Sequence, residues 1–454
     1  MMLGPLLQYQ SLKTVLLHTD ANTRFRISTH ISSVRDVEKR IPLKMSSLDI
    51  SQDWRTIVND AQYEVGIIRH FPDGNAPPPV AWGPRLRGAD SDFDEFGFPF
   101  NAGSNVVLPG DVSFQWGNLP EFRRDREDEE RRHRDQLRRY EKIVEVQAES
   151  KLKGITVEDY LKSLGPIRRD RLERELGGVR EFLTISPEIV SYSIEYYKLQ
   201  LLPFDCRRNN TKTPFTSFVQ LTITKGDIRQ IHRFEYSKKL FEASKSFHEA
   251  LFGRRAMPIQ VGRLVMNGYD TIHRLPIGFR LNAKHVHTTQ YNLAHASFRS
   301  IVASSERLET VGLRFSMRRD AFQNQIVRNA RRLVIEDAAH YDTQRLNEII
   351  EDLPHLDITI ESLHSPADIF GLIQAWLSGD RPIGASCQIE VKNDEVARDV
   401  LKLVRTRYEK SKRTFRCVTI DQTNCTKVEV FYVPFTPPRS DKKKWMLRTR
   451  IVNV

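Results

Sequence analysis

The spacing of apolar and polar residues predicts an α+β fold that begins with a short helical segment. Over residues 6 to 43, apolar side chains recur at spacings of three and four, as on one face of an amphipathic helix. Asp20 and Asn22 are turn-forming residues, either of which could cap the helix after them, and Pro42 ends the pattern. The N-terminal apolar face formed in this way consists of Leu6, Leu12, Val15, Leu16, Phe25 and Ile27.

The next part of the chain is predicted to be rich in strands. LKMSSLDI, WRTIVND and AQYEVGIIRHF have strand character, and Asn59-Asp60 supplies a hairpin turn between the last two. Residues 71 to 111 are rich in proline and contain the acidic and aromatic run DSDFDEFGFPF. We expect a long loop laid on a domain surface, and a docking peptide is the alternative.

A charged helical insert is predicted after this loop. Acidic and basic residues alternate at helical spacings from Arg123 to Lys142, which favours a solvated helix held by ion pairs over a nucleic-acid-binding arm. Thr156 and Asp159 resemble a capping box. Beyond Pro187, VSYSIEYYKLQLL and SFVQLTIT alternate apolar and polar residues and are predicted to be antiparallel strands.

The last third of the chain alternates strand-like and helical runs. RLETVGLRF, ARRLVIED, HLDITIES and ASCQIEV are predicted strands, with helices between several of them. Leu308, Leu333 and Leu356 are spaced by about 25 residues, within the range of leucine-rich strand–helix repeats, although the asparagine ladder of such repeats is missing. This alternation favours a parallel or mixed sheet with helices on one side.

These patterns divide the chain into five consecutive segments. A chain of 454 residues is long enough for two or three domains, each with a sizeable core. The predicted segments are N-terminal helices (1–43), a β-rich segment with a proline-rich loop (44–117), a charged helical insert or linker (118–185), an α+β segment (186–290) and a strand–helix repeat-like C-terminal domain (291–454).

The charge and the cysteine content limit which classes of partner and which cellular compartment are expected. The net charge of +12 favours anionic partners, but the basic residues are dispersed along the chain, which disfavours a nucleic-acid interface. The four cysteines form no C-x-x-C pair, which argues against a disulfide scaffold or structural zinc and fits a reducing compartment. Because neither a signal peptide nor an apolar run of about 18 residues is recognisable, a cytoplasmic or nuclear location is expected.

The sequence carries no recognisable catalytic motif, and no cofactor or metal is predicted. His285 and His287 share one face of a predicted strand at a spacing that suits metal ligands. No third ligand is evident, so two partly exposed histidines are expected instead. Trp376 is predicted to anchor the core. The tail SDKKKWMLRTR suits phosphate contact, a localisation signal or an edge strand protected by lysines.

One resemblance covers most of the chain. LQYQSLKTVLLHTDANTRFRISTHISSVRDVEKRIPLKMSSLDI resembles the opening of a large nematode family, the F-box C type proteins with their domain of unknown function. The likeness continues through YEVGIIRHF, DFDEFGF and PGDV. It recurs in IHRFEYSKKLFEASKSFHEALFG, RLPIGFRL, IVRNARRLVIED and IQAWLSGDRPIGASCQIEV.

The resemblance implies a role in protein recognition. The first segment is similar to a degenerate F-box, whose N-terminal apolar face would dock the Skp-type linker of a cullin-RING ubiquitin ligase. The usual leading Leu-Pro is Leu6-Leu7 here, and no tryptophan follows Ile31. The C-terminal part would bind a protein substrate. We therefore expect a non-enzymatic ligase adaptor, with an interaction scaffold or a basic nucleic-acid-binding protein as alternatives.

Overall fold

The computed structural model shows an α+β protein built around one mixed sheet of 15 strands. The predicted fold class is thereby confirmed. The structure describes residues 9–50, 54–72, 88–103, 105–114, 126–175, 185–266, 268, 271–289, 293, 296–302, 305, 308–314, 319–338, 342–379, 381–422, 425–436 and 444–453.

The strands are numbered in chain order. They are β1 (Lys44–Ile50), β2 (Arg55–Val58), β3 (Ala61–His70), β4 (Asp92–Phe93), β5 (Pro99–Phe100), β6 (Val112–Ser113), β7 (Thr216–Lys225), β8 (Ile228–Glu235), β9 (Ile259–Met266), β10 (Ile272–His273), β11 (Leu281–Thr289), β12 (Thr310–Arg314), β13 (Arg332–Glu336), β14 (Asp357–Leu363), β15 (Ser386–Val391), β16 (Lys412–Arg413), β17 (Cys417–Asp421), β18 (Thr426–Phe435) and β19 (Lys444–Asn453). Two small sheets pair β4 with β5 and β6 with β10.

The helices are numbered in the same way. They are α1 (Tyr9–His18), α2 (Ala21–His30), α3 (Ser32–Arg40), α4 (Arg126–Leu152), α5 (Val157–Ser163), α6 (Pro166–Glu175), α7 (Pro187–Asn209), α8 (Leu240–Phe252), α9 (Ala296–Val302), α10 (Arg319–Phe322), α11 (Gln325–Arg328), α12 (Thr343–Glu351), α13 (Pro366–Ser378) and α14 (Asp394–Arg407). Both predicted caps are confirmed, because the side chains of Asp20 and Thr156 accept hydrogen bonds from the backbone of Thr23 and Asp159.

Parallel strands form the middle of the large sheet. β1, β9, β11, β12, β13, β14 and β15 run parallel as neighbours, and antiparallel strands extend this region on both sides. The helices between these strands pack on one face of the sheet, where Trp376 of α13 is fully buried, as predicted. Residues in matching register form the central row of this core, and none exposes more than 1%: Leu48, Leu264, Val286, Val311, Leu333, Ile358 and Cys387.

The first three helices are fixed to this sheet by a buried cluster of charges. Arg24 of α2 lies 2.9 Å from Glu38 of α3, and Arg255, just beyond α8, contacts the same carboxylate at 3.1 Å. Arg24 also donates to the carbonyl oxygens of Ile41 and Pro42. Because Glu38 is the shared counter-charge of Arg24 and Arg255, this cluster holds the N-terminal helices against α8.

The helical insert is larger than predicted. VSYSIEYYKLQLL forms part of α7 and not a strand, so that prediction is wrong. Ser186 accepts a hydrogen bond from the backbone of Ile189, and Pro187 occupies the first turn, so the local signals start a helix despite the alternating pattern. α7 packs on α4, whose interleaved charges form the predicted ion pairs, such as Arg134–Glu130 at 2.6 Å.

Three further expectations can be compared with the structure. The described part of the 71–111 segment contains β4 and β5 and packs on the domain, with Asp92 buried and Phe98 buried against Phe204. The basic tail is not an edge strand, because β19 lies between β15 and β18 and the long ladder to β18 places it inside the sheet. Finally, strands from the predicted segments 44–117, 186–290 and 291–454 join one sheet, in which β1 lies between β2 and β9.

Candidate recognition surface

The parallel strands present a second face opposite the helices, which we call the open face. Side chains alternate along each strand, so the residues between those of the buried row point to this face. Most of these side chains are half-buried or exposed. Its first row, in matching register across six strands, contains Arg263, His285, Thr310, Arg332, Asp357 and Ser386.

Hydrogen bonds and ion pairs run along this first row. Asp357 accepts a hydrogen bond from the Ser386 hydroxyl at 2.8 Å and lies 3.8 Å from the guanidinium of Arg332, which is about half exposed. His285 lies 3.6 Å from the carboxylate of Glu309. Burial lowers the pKa of His285, and Glu309 opposes that shift. The row is therefore polar, partly paired and accessible.

The second row contains a histidine that reaches across a whole strand. His287 of β11 lies opposite Gly312 of β12, which in turn lies opposite Val334 of β13. The imidazole crosses over Gly312, and its Nδ1 lies 2.5 Å from Oε1 of Glu336 on β13. A Cβ at position 312 would lie 2.3 Å from this Nδ1. The glycine is therefore what lets the His287–Glu336 pair form.

Carboxylates gather where the central strands end. Arg314 at the end of β12 donates to Asp337 at 2.9 Å, and Lys444 donates to Glu390. Glu361 lies near this group. Burial raises the pKa of Glu361 to about 7, with Glu336 and Glu390 adding to the shift and Lys444 opposing it.

The backbone is irregular at the same edge of the sheet. Asp337, just after β13, has a φ of 52°, and Ser362 in β14 has a φ of 65°. The pairing of β14 with β15 shifts between Ile360 and Leu363, which is the signature of a bulge. Residues in the left-handed backbone conformation cost stability and concentrate at functional sites. Two of them on adjacent strands therefore support a functional role for this edge of the sheet.

The chemistry available on the open face favours binding. Within the described ranges, no group of three or more His, Cys, Asp or Glu is placed to hold a metal ion. His285 faces the carboxylate of Glu309, just before β12, and His287 faces that of Glu336 on β13. The two histidine side chains are 37% and 14% exposed, which agrees with the expected pair of partly exposed histidines. What the face offers is an array of charged and hydrogen-bonding groups on a rigid sheet.

The structure divides the predicted N-terminal apolar face. Leu16 and Phe25 are buried, whereas Val15 is 51% exposed. Leu12 and Ile27 are half-buried and pack with Leu16 in a small cluster between the helices. Leu6 lies outside the described residues. A partner that approaches α1 would therefore meet Val15 and the edges of Leu12 and Ile27.

The sequence pattern indicates the two histidines of the open face but not their partners. A signal for Gly312 was present, because an isolated glycine within an apolar strand often marks a close approach of another group. The identity of that group depends on the register of β11, β12 and β13. Glu336 and Glu361 close the strand-like runs ARRLVIED and HLDITIES, and no local pattern distinguishes them from other surface carboxylates.

The comparisons with known proteins bear on this region. A family model described as a domain of unknown function (DUF3557) matches residues 239–393, from the start of α8 to the end of β15. The match therefore covers about a third of the chain, including β9 to β15 and the central part of the open face. No curated protein and no solved structure gives a significant match. In the part of the chain that the structure describes, no helix is long and apolar enough to cross a membrane.

Proposed function

We propose that this chain is a non-enzymatic adaptor that holds a protein substrate on its open face and a Skp-type linker on its N-terminal helices. The observation that carries this proposal is the open face, a broad sheet surface that has charged residues and, among the described residues, no helix packed on it. Repeat-like strand–helix arrays use such surfaces for protein recognition.

The size and charge of the open face support a peptide-like occupant. Seven parallel strands spaced by about 4.8 Å span roughly 29 Å, the length of about nine residues of extended chain. The first row contributes the guanidinium groups of Arg263 and Arg332, whereas the strand ends contribute the carboxylates of Glu336, Glu361 and Glu390. A substrate segment that crosses the strands, with basic side chains directed toward the strand ends, would match this polarity.

The attachment of the N-terminal helices supports the second half of the proposal. The buried cluster of Arg24, Glu38 and Arg255 joins α2 and α3 to α8, which also packs on the sheet. A linker bound to α1 would therefore be held at a fixed position relative to the open face. A ligase adaptor needs such a rigid connection to present a substrate.

The burial of Leu16 and Phe25 favours one alternative, an interaction scaffold without a ligase role. These two side chains are part of the packing between helices, so the exposed part of the N-terminal apolar face is smaller than a complete docking helix would offer. The scaffold would use the open face in the same way. The two functions differ only in linker binding.

Linker binding can be tested by pull-down of a purified Skp-type linker with the full chain. Val15→Asp changes an exposed apolar side chain of α1, and Lys13→Asp changes an exposed polar one as a matched control. We expect the wild type and Lys13→Asp to bind and Val15→Asp to lose binding. If the folded wild type does not bind the linker, the ligase role is refuted and the scaffold takes its place.

The open face can be tested separately by selecting peptides from a displayed library against the full chain. Thr359→Arg places a long side chain in the middle of the face, while Thr406→Arg makes the same change on the exposed side of α14. We expect Thr359→Arg to abolish binding of the selected peptides and Thr406→Arg to retain it. Equal binding by both variants would exclude the open face as the recognition surface.

A further inference from the structure

The strand at one edge of the large sheet, β8, is exposed along its whole length. β8 pairs with β7 on one side and is the terminal strand of the sheet on the other. All eight of its residues are exposed, so no described part of the chain covers either of its faces. Ile228, Ile231 and Phe234 expose 67%, 46% and 55% of their surfaces. An apolar strand of this kind is a template for pairing with another strand.

The usual forms of edge protection are mostly missing from β8. The strand contains no proline, and its ladder with β7 runs without a bulge from Ile228 to Glu235. Arg229 and Arg233 are its basic residues, and Arg233 is drawn back toward β7 by a 3.3 Å hydrogen bond to Gln220. A row of backbone groups along the outer edge therefore stays accessible to a partner strand.

Symmetry limits how β8 could pair with a second copy of itself. Two antiparallel strands of identical chains are related by a twofold axis normal to the sheet, which keeps each residue on its own face. Because opposite residues must share a face, the numbers of two paired residues must add up to an even number. Two such registers keep seven pairs within β8, one centred on Ile231 and one centred on His232.

The charges of β8 select between these two registers. Centring on Ile231 places Arg229 opposite Arg233 twice, and like charges directly opposite each other are destabilising. Centring on His232 places Arg229 opposite Glu235 of the second copy twice, which forms two symmetric pairs of opposite charge. β8 is thus complementary to itself in one register, and this favours a second copy over an unrelated strand.

The same register brings the exposed apolar residues together. Phe234 would lie diagonally beside Ile228 of the second copy, within reach of an aromatic side chain, on the face of the sheet that carries Val219. Ile231 would lie diagonally beside its own symmetry mate on the opposite face. Pairing would therefore cover the three apolar side chains that β8 leaves in water.

We propose that β8 pairs antiparallel with β8 of a second copy, centred on His232, to form a homodimer with a continuous sheet. The dimer would carry two open faces, one from each copy. Because the interface is one strand wide, its affinity should be moderate and the dimer should dissociate on dilution. The inference stands on β8 alone and does not depend on the proposed function.

Sedimentation velocity of the full chain at increasing concentration tests the dimer. The wild type should shift from monomer to dimer. Arg229→Glu and Glu235→Arg should each weaken association by about tenfold, because each turns two attractive pairs into two repulsive ones. The double variant Arg229→Glu/Glu235→Arg restores opposite charges and should recover wild-type association. Lys412→Glu, on the edge strand at the other end of the sheet, is a control that should leave association unchanged.

Hydrogen exchange of the unaltered protein gives a second measurement that does not depend on the folding of any variant. Amides of β8 that face away from β7 should become protected as concentration rises. A chain that stays monomeric overturns the proposal, including the case in which the β8 edge instead binds an extended peptide of another protein. A dimer whose association is not recovered by the double variant, or whose β8 amides stay unprotected, overturns this pairing as well.

Discussion

Two contacts between side chains of different helices or strands in this protein differ in burial. Arg24 and Glu38, at the base of the N-terminal helices, have side chains that are 2% and 0% exposed. His287 and Glu336, on the open face, are 14% and 19% exposed. The comparison separates a buried ion pair that holds the fold from a histidine–carboxylate contact that water and a partner can reach.

The buried pair is surrounded by hydrogen bonds. Besides Glu38, Arg24 donates to three backbone carbonyl oxygens, including that of Pro42 at 2.7 Å. Burial lowers the pKa of Arg24 and of Arg255, while the nearby Glu38 raises both. The charges of two guanidinium groups are therefore balanced by one carboxylate. Because the cluster is buried, water could not solvate the arginines if that carboxylate were removed.

The largest effect is expected from Glu38→Ala. The variant leaves Arg24 and Arg255 buried without their counter-charge, and breaking a buried pair in this way typically costs about 3–5 kcal/mol. Urea unfolding followed by circular dichroism should show this loss as a lower free energy of unfolding.

The matched control for that variant is Glu309→Ala, which removes the carboxylate opposite His285. This carboxylate is 55% exposed, so the loss should stay below about 1 kcal/mol. Similar costs for the two variants would show that burial does not decide how much a carboxylate contact contributes to the stability of this protein.

Much of the fold could be predicted from sequence because its signals are local. The spacing of apolar residues after Leu308 predicts the alternation of strands and helices. The structure has β12 to β15 and α12 to α14 at the predicted positions. The prediction failed at VSYSIEYYKLQLL, where an alternating pattern belongs to α7. The start signals of this helix, Ser186 and Pro187, precede the alternating run and are not part of its pattern.

The open face was less predictable because it depends on register and pairing. His285 and His287 were correctly placed on one face of a strand, but their partners, Glu309 and Glu336, lie 24 and 49 residues further along the chain. The order of the sheet also places β1 beside β9, a neighbour more than 200 residues away in sequence. No periodicity within either strand encodes that contact.

The second prediction uses Gly312 to test the accessible pair. Gly312→Ala adds a methyl group where the His287 ring lies, so it should cost about 1–2 kcal/mol and displace the imidazole from Glu336. His287→Ala removes the obstacle. The double variant should therefore be no less stable than His287→Ala alone, as measured by a double-mutant cycle in urea unfolding.

Gly262→Ala is the matched control for this cycle. A methyl group there would lie 2.6 Å from the carbonyl oxygen of Ser46, and no change at His287 can relieve that contact. The costs of Gly262→Ala and His287→Ala should add. If the cost of Gly312→Ala also persists in the His287→Ala background, the ring does not fill the space above the glycine.

The smallest effect is expected from Glu361→Gln and appears as a change with pH. Burial raises the pKa of Glu361 from 4.5 to about 7 in the folded chain, so the folded state holds this proton more tightly than the unfolded state. The contribution of Glu361 to stability is therefore complete below pH 4.5 and falls as pH rises through 7. Glutamine cannot ionise and escapes this loss.

The advantage of Glu361→Gln over the wild type should thus grow between about pH 4.5 and 7 and then level off. Because Glu361 is partly solvated, the gain should be on the order of 1 kcal/mol or less. Thermal unfolding across this pH range measures it directly. A constant difference between variant and wild type would mean that Glu361 ionises as it does in the unfolded chain, so that neither burial nor the neighbouring carboxylates of the open face shift its proton affinity.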